Sequence, residues 1–78
     1  MPIDVECSFD SEGQVRVRRL KLGDHWQMVE QGRQWQDADG RHVLVMLPEQ
    51  ALSVHELWLR ADTLTWELRD RSGGQLVA

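Results

Sequence analysis

The chain has 78 residues, 41% of them hydrophobic and 28% charged, a composition typical of one small globular domain. Its formal net charge of −4 excludes a basic protein that coats nucleic acid through bulk charge. The chain has no apolar run long enough for a membrane helix, and its single cysteine excludes an intramolecular disulfide or a cysteine-based zinc site.

The first ten residues, MPIDVECSFD, lack the basic and apolar regions of a secretion signal, which predicts a cytoplasmic protein. Residues 1–70 are expected to form a single β domain, and residues 71–78 a frayed tail. Because the chain has four Trp, one Phe and no Tyr, tryptophan is expected to supply most of the aromatic burial in a Trp-rich core.

Alternation of apolar and polar residues with a period of two predicts antiparallel β structure from the start of the chain. Residues 3–9 form the first predicted strand, and a three-residue loop ending at Gly13 turns the chain back. This loop places apolar residues opposite each other, Phe9 against Val15 and Cys7 against Val17.

The second predicted strand, residues 15–22, changes phase partway along. Val17 and Leu20 could not both face the core from an unbroken strand, because side chains alternate between the two faces. One extra residue at Arg18-Arg19 restores both to the same face, so we predict a β-bulge there.

The next turn contains Gly23 and Asp24. A three-residue loop, which also takes in His25, would place Leu22 opposite Trp26. A two-residue loop would place Leu22 opposite His25. Cross-strand pairing of apolar residues favours the longer loop.

Gly32 interrupts the third predicted strand and indicates a bulge or bend before Trp35. A second three-residue loop, residues 38–40, would then place Trp35 opposite Val43. Residues 43–47 are apolar on both faces, which predicts a strand that is central or covered on both sides.

Residues 48–58 are ambiguous, because their apolar spacing also fits a short helix. The favoured alternative is a hairpin with a four-residue loop, 60–63, that places Leu59 opposite Leu64 and Leu57 opposite Trp66. The predicted fold is therefore all-β, a single antiparallel meander of five to six strands that forms an SH3-like or partly open barrel. An open meander has two edge strands, and a homodimer through one of them would add burial.

No constellation of residues indicates catalysis. His25, His42 and His55 lack metal-ligand spacing and are interpreted as solvated or edge residues, whereas Cys7 is predicted to lie in the core. No serine lies in a nucleophile elbow, and no glycine-rich loop could hold phosphate. The sequence therefore predicts a protein that is not an enzyme and that uses no cofactor or metal.

Trp58 is the most informative aromatic residue, because the favoured hairpin turns it away from the neighbouring leucines. Such a residue is either covered by the N-terminal segment or the 48–53 loop, or it contacts a partner, since tryptophan is enriched at binding hot spots. The leading hypothesis is a protein-interaction or homodimer surface that comprises Trp58, Glu56, Arg60 and Thr65.

The second predicted strand concentrates positive charge, and Trp26 on the next strand could stack on a base. The basic residues are Arg16, Arg18, Arg19 and Lys21. The alternative function is therefore a nucleic-acid accessory domain. Nearby acidic residues, Asp4, Glu6 and Glu30, are expected to pair with these cations and weaken their field.

Four short blocks carry a resemblance to a known class of domains. They are Arg19-Leu20-Lys21-Leu22-Gly23, Trp26-x-Met28-x-Glu30, Gly32-Arg33-x-Trp35 and Gly40-Arg41-His42-x-Leu44-Val45. This pattern resembles small bacterial all-β domains of unknown function, some of which accompany polymerase-like proteins of mutagenic repair. The resemblance covers residues 16–68 and implies a bacterial all-β domain, but it assigns no functional residue.

Overall fold

The computed structural model describes residues 2–50 and 53–70, which form seven β-strands and a single 3₁₀ turn at Pro48–Gln50. The strands are β1 (Val5–Phe9), β2 (Val15–Leu22), β3 (His25–Met28), β4 (Glu30–Asp37), β5 (Gly40–Leu47), β6 (Ser53–Arg60) and β7 (Trp66–Asp70). The all-β prediction is confirmed. The count exceeds the expected five to six because the third predicted strand is divided at Val29. The predicted tail, 71–78, lies outside the described residues.

The strands form two antiparallel sheets in sequence order, β1-β2-β3 and β4-β5-β6-β7, with β5 central as predicted. The sheets do not close into a barrel, although a few hydrogen bonds connect them at each side. On one side, Gln31 and Gln34 of β4 bond the backbone of β2 through their side-chain amides. On the other side, the Ile3 N–H donates to the Trp66 carbonyl at 3.0 Å.

The core between the sheets is aliphatic rather than Trp-rich. It consists of Val15, Val17, Leu20, Val43, Val45, Leu47 and Leu57, each at most 5% exposed. Trp66 is the one tryptophan of the described chain that packs against this cluster, so the prediction of a Trp-rich core was wrong. Cys7 packs there too, half-buried, and burial raises the pKa of its thiol.

The first hairpin forms as predicted, with Phe9 opposite Val15 and Cys7 opposite Val17. The predicted bulge is also present, because Glu6 pairs with Arg19 while Cys7 pairs with Val17. Arg18 is the extra residue between them. The bulge explains how Val17 and Leu20 both reach the core.

The β2–β3 turn differs from the prediction, since its loop has two residues and Leu22 lies opposite His25. Gly23 has a φ of 60°, which suits the two-residue hairpin turns whose twist matches that of the strands. Backbone geometry therefore outweighs apolar pairing. As a result Trp26 and Met28 face solvent, while Gln27 faces the interior.

The predicted bulge at Gly32 is present, because the β4–β5 register shifts between Gln31 and Gln34. The following loop again has two residues rather than three, so Trp35 lies opposite His42 and not Val43. The Asp37 carboxylate accepts the Asp39 N–H at 2.9 Å, and this local bond stabilises the shorter turn.

Residues 53–60 form a strand, so the favoured β6–β7 hairpin is confirmed and the alternative, a short helix over 48–58, does not form at 53–58. Its register differs, because Leu59 lies opposite Trp66 and Leu57 opposite Leu68. Leu64 adopts a φ of 58° and donates its N–H to the Arg60 carbonyl, which moves the loop to residues 61–64. Leu64 is consequently 72% exposed instead of buried.

Alanine substitutions at Gly40 and Gly23 test how closely the backbone of β5 approaches that of β6. A Cβ at Gly40, where φ is 140°, would overlap the Leu59 carbonyl oxygen, whereas a Cβ at Gly23 would meet nothing within 4 Å. Gly40→Ala is expected to cost about 3 kcal/mol or more, because β5 and β6 must separate. Gly23→Ala is expected to cost about 1 kcal/mol, for left-handed strain alone. Urea unfolding measures both, and equal costs would contradict the close approach of β5 to β6.

Candidate functional site

Three ring systems lie side by side on the outer face of the four-stranded sheet, the face turned away from the core. The pairing registers place Trp35 of β4 opposite His42 of β5, and His42 opposite Trp58 of β6. The Trp35 and His42 ring centroids are 5.1 Å apart with an interplanar angle of 8°. Those of His42 and Trp58 are 6.2 Å apart at 2°. We call these three residues the aromatic row.

Arginines contact both indoles of the aromatic row. The guanidinium carbon of Arg33 lies 5.0 Å from the centroid of Trp35. The guanidinium carbons of Arg69 and Arg60 lie 4.2 and 5.2 Å from the centroid of Trp58. These cation–π contacts and the imidazole between the indoles restrict the motion of both tryptophans.

His42 is held between two carboxylates. Its Nδ1 lies 2.6 Å from Oε2 of Glu56, and its Nε2 lies 3.0 Å from Oδ1 of Asp37. The side chains of His42 and Glu56 are 8% and 4% exposed, while that of Asp37 is 49% exposed. Since ionised carboxylates only accept hydrogen bonds, both bonds require a proton on each ring nitrogen, that is, an imidazolium.

The pKa values of this cluster follow from the same contacts. Burial lowers the pKa of His42, but the hydrogen bonds and charges of Glu56 and Asp37 outweigh burial, so that the pKa lies above 6.5. The hydrogen bond from His42 holds the pKa of Asp37 below 3.8. The folded domain thus favours the ionised forms of both residues.

The aromatic row is connected to the β4–β5 turn through Asp37 and Asp39. Oδ1 of Asp37 accepts hydrogen bonds from His42 and from the Asp39 N–H. The Asp39 carbonyl accepts the Trp58 indole N–H at 3.0 Å and the Ala61 N–H at 2.9 Å. One turn therefore connects the imidazole, the Trp58 indole and the β6–β7 loop.

The four residues of the predicted partner surface differ in how far the structure buries them. Trp58 faces away from the buried Leu57 as predicted, but it is half-buried in the aromatic row. Glu56 is buried against His42 and therefore does not belong to an exposed polar rim.

The other two predicted residues are more accessible. Arg60 forms ion pairs with Asp62 at 2.7 Å and Glu67 at 3.0 Å, contacts that raise its pKa. Thr65 is exposed and bonds the Thr63 hydroxyl at 2.7 Å. Arg60 also lies over Trp58, and its N–H donates to the Thr65 carbonyl at 2.9 Å.

The basic residues Arg16, Arg18, Arg19 and Lys21 lie on β2, on the outer face of the three-stranded sheet. Both Nε and Nη2 of Arg19 bond the carboxylate of Glu6, at 3.0 and 3.3 Å, and Arg18 lies 3.7 Å from it. The hydrogen bond from Arg19 lowers the pKa of Glu6. The expected neutralisation is therefore present at Glu6, and Arg19 also lies over Trp26, 4.8 Å from its centroid.

Sequence reasoning missed the participation of His42, Trp35 and Asp37. His42 and His55 are buried, so their interpretation as solvated or edge residues was wrong. The β6 alternation already placed Trp58 on the outer face. The sequence argument lacked the two-residue turn at 38–39. This turn places Trp35 directly opposite His42 and Asp37 opposite Gly40, within reach of the His42 ring. Asp37 was the available signal for that turn, because an aspartate side chain can accept the backbone N–H of the residue two positions later.

No family model, curated protein or solved structure matches the chain. Within residues 2–50 and 53–70, no cluster of His, Cys, Asp and Glu is arranged to bind a metal ion. The same residues contain no helix with the length and apolarity to cross a membrane. The resemblance to repair-associated domains stays a prediction.

The His42 cluster predicts how stability depends on pH. A folded pKa above 6.5 stabilises the domain fully below pH 6.5, and this contribution is lost as pH rises through the folded pKa. A folded pKa of Asp37 below 3.8 stabilises the domain above pH 3.8 and is lost as pH falls through the folded value. We expect the free energy of unfolding to decline above pH 6.5 in urea titrations. His42→Gln should flatten that decline, and an unchanged slope would contradict the assignment.

Proposed function

We propose that this chain is a non-catalytic protein-interaction domain that binds through the outer face of its four-stranded sheet. The supporting observation is the aromatic row, which places two tryptophans outside an aliphatic core. The partner is a protein surface, either a second copy of the chain or another protein. A bacterial, cytoplasmic setting remains the expectation from the sequence.

The aromatic row has the properties of a preorganised binding surface. The core cluster contains no tryptophan, so the stability of the core does not account for Trp35 and Trp58. Stacking on His42 and the bond to the Asp39 carbonyl fix the rings before any partner arrives. A partner that contacts fixed indoles loses little side-chain entropy on binding, and Trp and Arg are the residues most enriched at hot spots.

The charge pattern of this face suits a protein better than a polyanion. His42 is paired with two carboxylates, and Arg60 is paired with Asp62 and Glu67. These carboxylates compensate the charges of His42 and Arg60, whereas Arg33 and Arg69 contact the indoles of the aromatic row. The outward residues of β5 and β6 also include Leu44, Met46 and Val54, all half-buried. An apolar centre with a paired polar border is the usual composition of a protein interface.

Thr65→Arg tests this proposal without disturbing the aromatic row. Thr65 is exposed and its carbonyl accepts the N–H of Arg60, whose guanidinium lies over Trp58, so an arginine at 65 would obstruct a partner at this border of the sheet. Ser11→Arg is the matched control, because Ser11 is exposed at the tip of the β1–β2 hairpin. We expect light scattering to show association of the wild type and of Ser11→Arg at concentrations up to about 1 mM, weakened at least about tenfold in Thr65→Arg. Circular dichroism checks that both variants keep their strands.

A wild-type domain that stays monomeric indicates a different protein as partner. Affinity capture should then recover a protein with the wild type and Ser11→Arg but not with Thr65→Arg. The proposal is overturned if Thr65→Arg associates or captures like the control, or if the wild type does neither.

A second candidate function, binding of single-stranded nucleic acid, rests on the outer face of the other sheet. Four basic residues and Trp26, which is 40% exposed, share that face, and small β domains use this combination to bind single strands. We expect a titration with single-stranded DNA to quench Trp26 fluorescence at low salt and to weaken steeply with added salt. Trp26→Phe assigns the signal, and no response at low salt removes this candidate.

A further inference from the structure

The two hydrogen bonds of His42 differ in strength and in access to water. The bond to Glu56 is 2.6 Å long and both of its side chains are buried, whereas the bond to Asp37 is 3.0 Å long and Asp37 is half-exposed. A neutral imidazole retains one N–H and can satisfy only one carboxylate. Loss of the proton should therefore break the bond to Asp37, because that bond is the longer of the two and water can solvate the half-exposed Asp37 carboxylate.

Loss of the Asp37 bond would affect more than one contact. The same Oδ1 atom that accepts from His42 also accepts the Asp39 N–H and so holds the turn at 38–39. That turn presents the Asp39 carbonyl to the Trp58 indole N–H and to the Ala61 N–H. A neutral imidazole would moreover present a lone pair to the Asp37 carboxylate, and this repulsion would push the turn away from β5.

We propose that His42 is a proton-operated clasp for the interaction face: its imidazolium holds the 38–39 turn and the Trp58 indole in place, and its deprotonation releases them. The consequence for binding rests on the proposed function, whereas the clasp itself belongs to the isolated domain. Association through this face is then favoured while His42 is protonated and weakens as the imidazolium loses its proton.

The charges around the imidazole come from three strands. Asp37 of β4 and Glu56 of β6 bond it directly. Arg33 of β4, Arg60 of β6 and Arg69 of β7 lie against the flanking indoles, and Glu67 of β7 pairs with Arg60. These outer cations oppose protonation, but they contact the indoles, whereas the two carboxylates contact the ring nitrogens. The proximal pair therefore decides the charge of His42.

NMR on the isolated, dilute domain tests the clasp between pH 5 and pH 9. The His42 ring signals report its protonation, and the Trp58 Nε1–H reports its bond to Asp39. We expect both to titrate with one midpoint above 6.5, with faster Trp58 N–H exchange on the alkaline side. The Nε1–H of Trp26, on the other sheet, corrects for the intrinsic pH dependence of exchange.

Two variants keep the test decisive even if one fails to fold. His42→Gln should abolish the Trp58 titration. Asp37→Asn should lower the His42 midpoint and uncouple Trp58 from it, because an uncharged amide can donate to a neutral ring nitrogen. The proposal is overturned if His42 titrates at or below 6.5, if Trp58 does not follow it, or if the Trp58 response persists in His42→Gln.

Light scattering at pH 6 and pH 9 separates the clasp from the proposed function. Weaker association at pH 9, with no pH effect in Asp37→Asn, supports the complete inference. Coupled NMR titrations without association or capture at any pH would leave the clasp standing and overturn the interaction function. Association that is equal at both pH values, with coupled titrations, would overturn control of binding by the clasp.

Discussion

The outer face of this domain depends on one interaction, the imidazolium of His42 bonded to Glu56 on one side and Asp37 on the other. A buried carboxylate is costly unless a cation and hydrogen bonds compensate it, and His42 supplies both to Glu56. The same ring separates two indoles at stacking distance and thereby sets the spacing of the aromatic row. Because its two carboxylates lie on β4 and β6, the bonded ring connects three adjacent strands through side chains as well as through the backbone ladder.

The two sheets are connected by a different set of hydrogen bonds, which satisfies backbone groups at the edge between them. A 78-residue chain gains from closing its sheet, since an open edge exposes unpaired backbone groups. Here the N-terminal part of β2 pairs with glutamine amides rather than with a strand. The Val15 and Val17 N–H groups donate to the amide oxygens of Gln34 and Gln31, and both glutamine NH₂ groups donate to the Val15 carbonyl. The bulge at Gly32 and Arg33 lies between these glutamines and lets both reach the same edge. Side-chain amides thus replace backbone hydrogen bonds where the sheets diverge.

Alternation in the sequence was sufficient to predict most of the strands and both bulges. Where the alternation changes phase, between Val17 and Leu20 or around Gly32, one extra residue in the strand is needed if the apolar residues on both flanks are to be buried. It was insufficient for the loops. Adding one residue to a loop changes every cross-strand partner, and apolar pairing favoured the wrong length at Gly23 and at 38–39. The deciding terms were local: the positive φ of Gly23, the Asp37–Asp39 bond and the left-handed Leu64. Because the aromatic row exists only in the observed register, the candidate site could not be derived before those loops were known.

The position of the tryptophans is the strongest argument that this domain acts through its surfaces. A small domain with no crosslink would stabilise itself most by burying its largest side chains. Seven aliphatic residues nevertheless fill the core of the described chain, and Trp66 is the one of its four tryptophans that packs against them. Trp35 and Trp58 are instead held by a charged histidine and three arginines on a solvent-facing sheet. Desolvating His42 and Glu56 costs free energy that an apolar pair at the same positions would not cost. An arrangement that orders two indoles at such a cost, outside the core, is better explained by recognition than by stability.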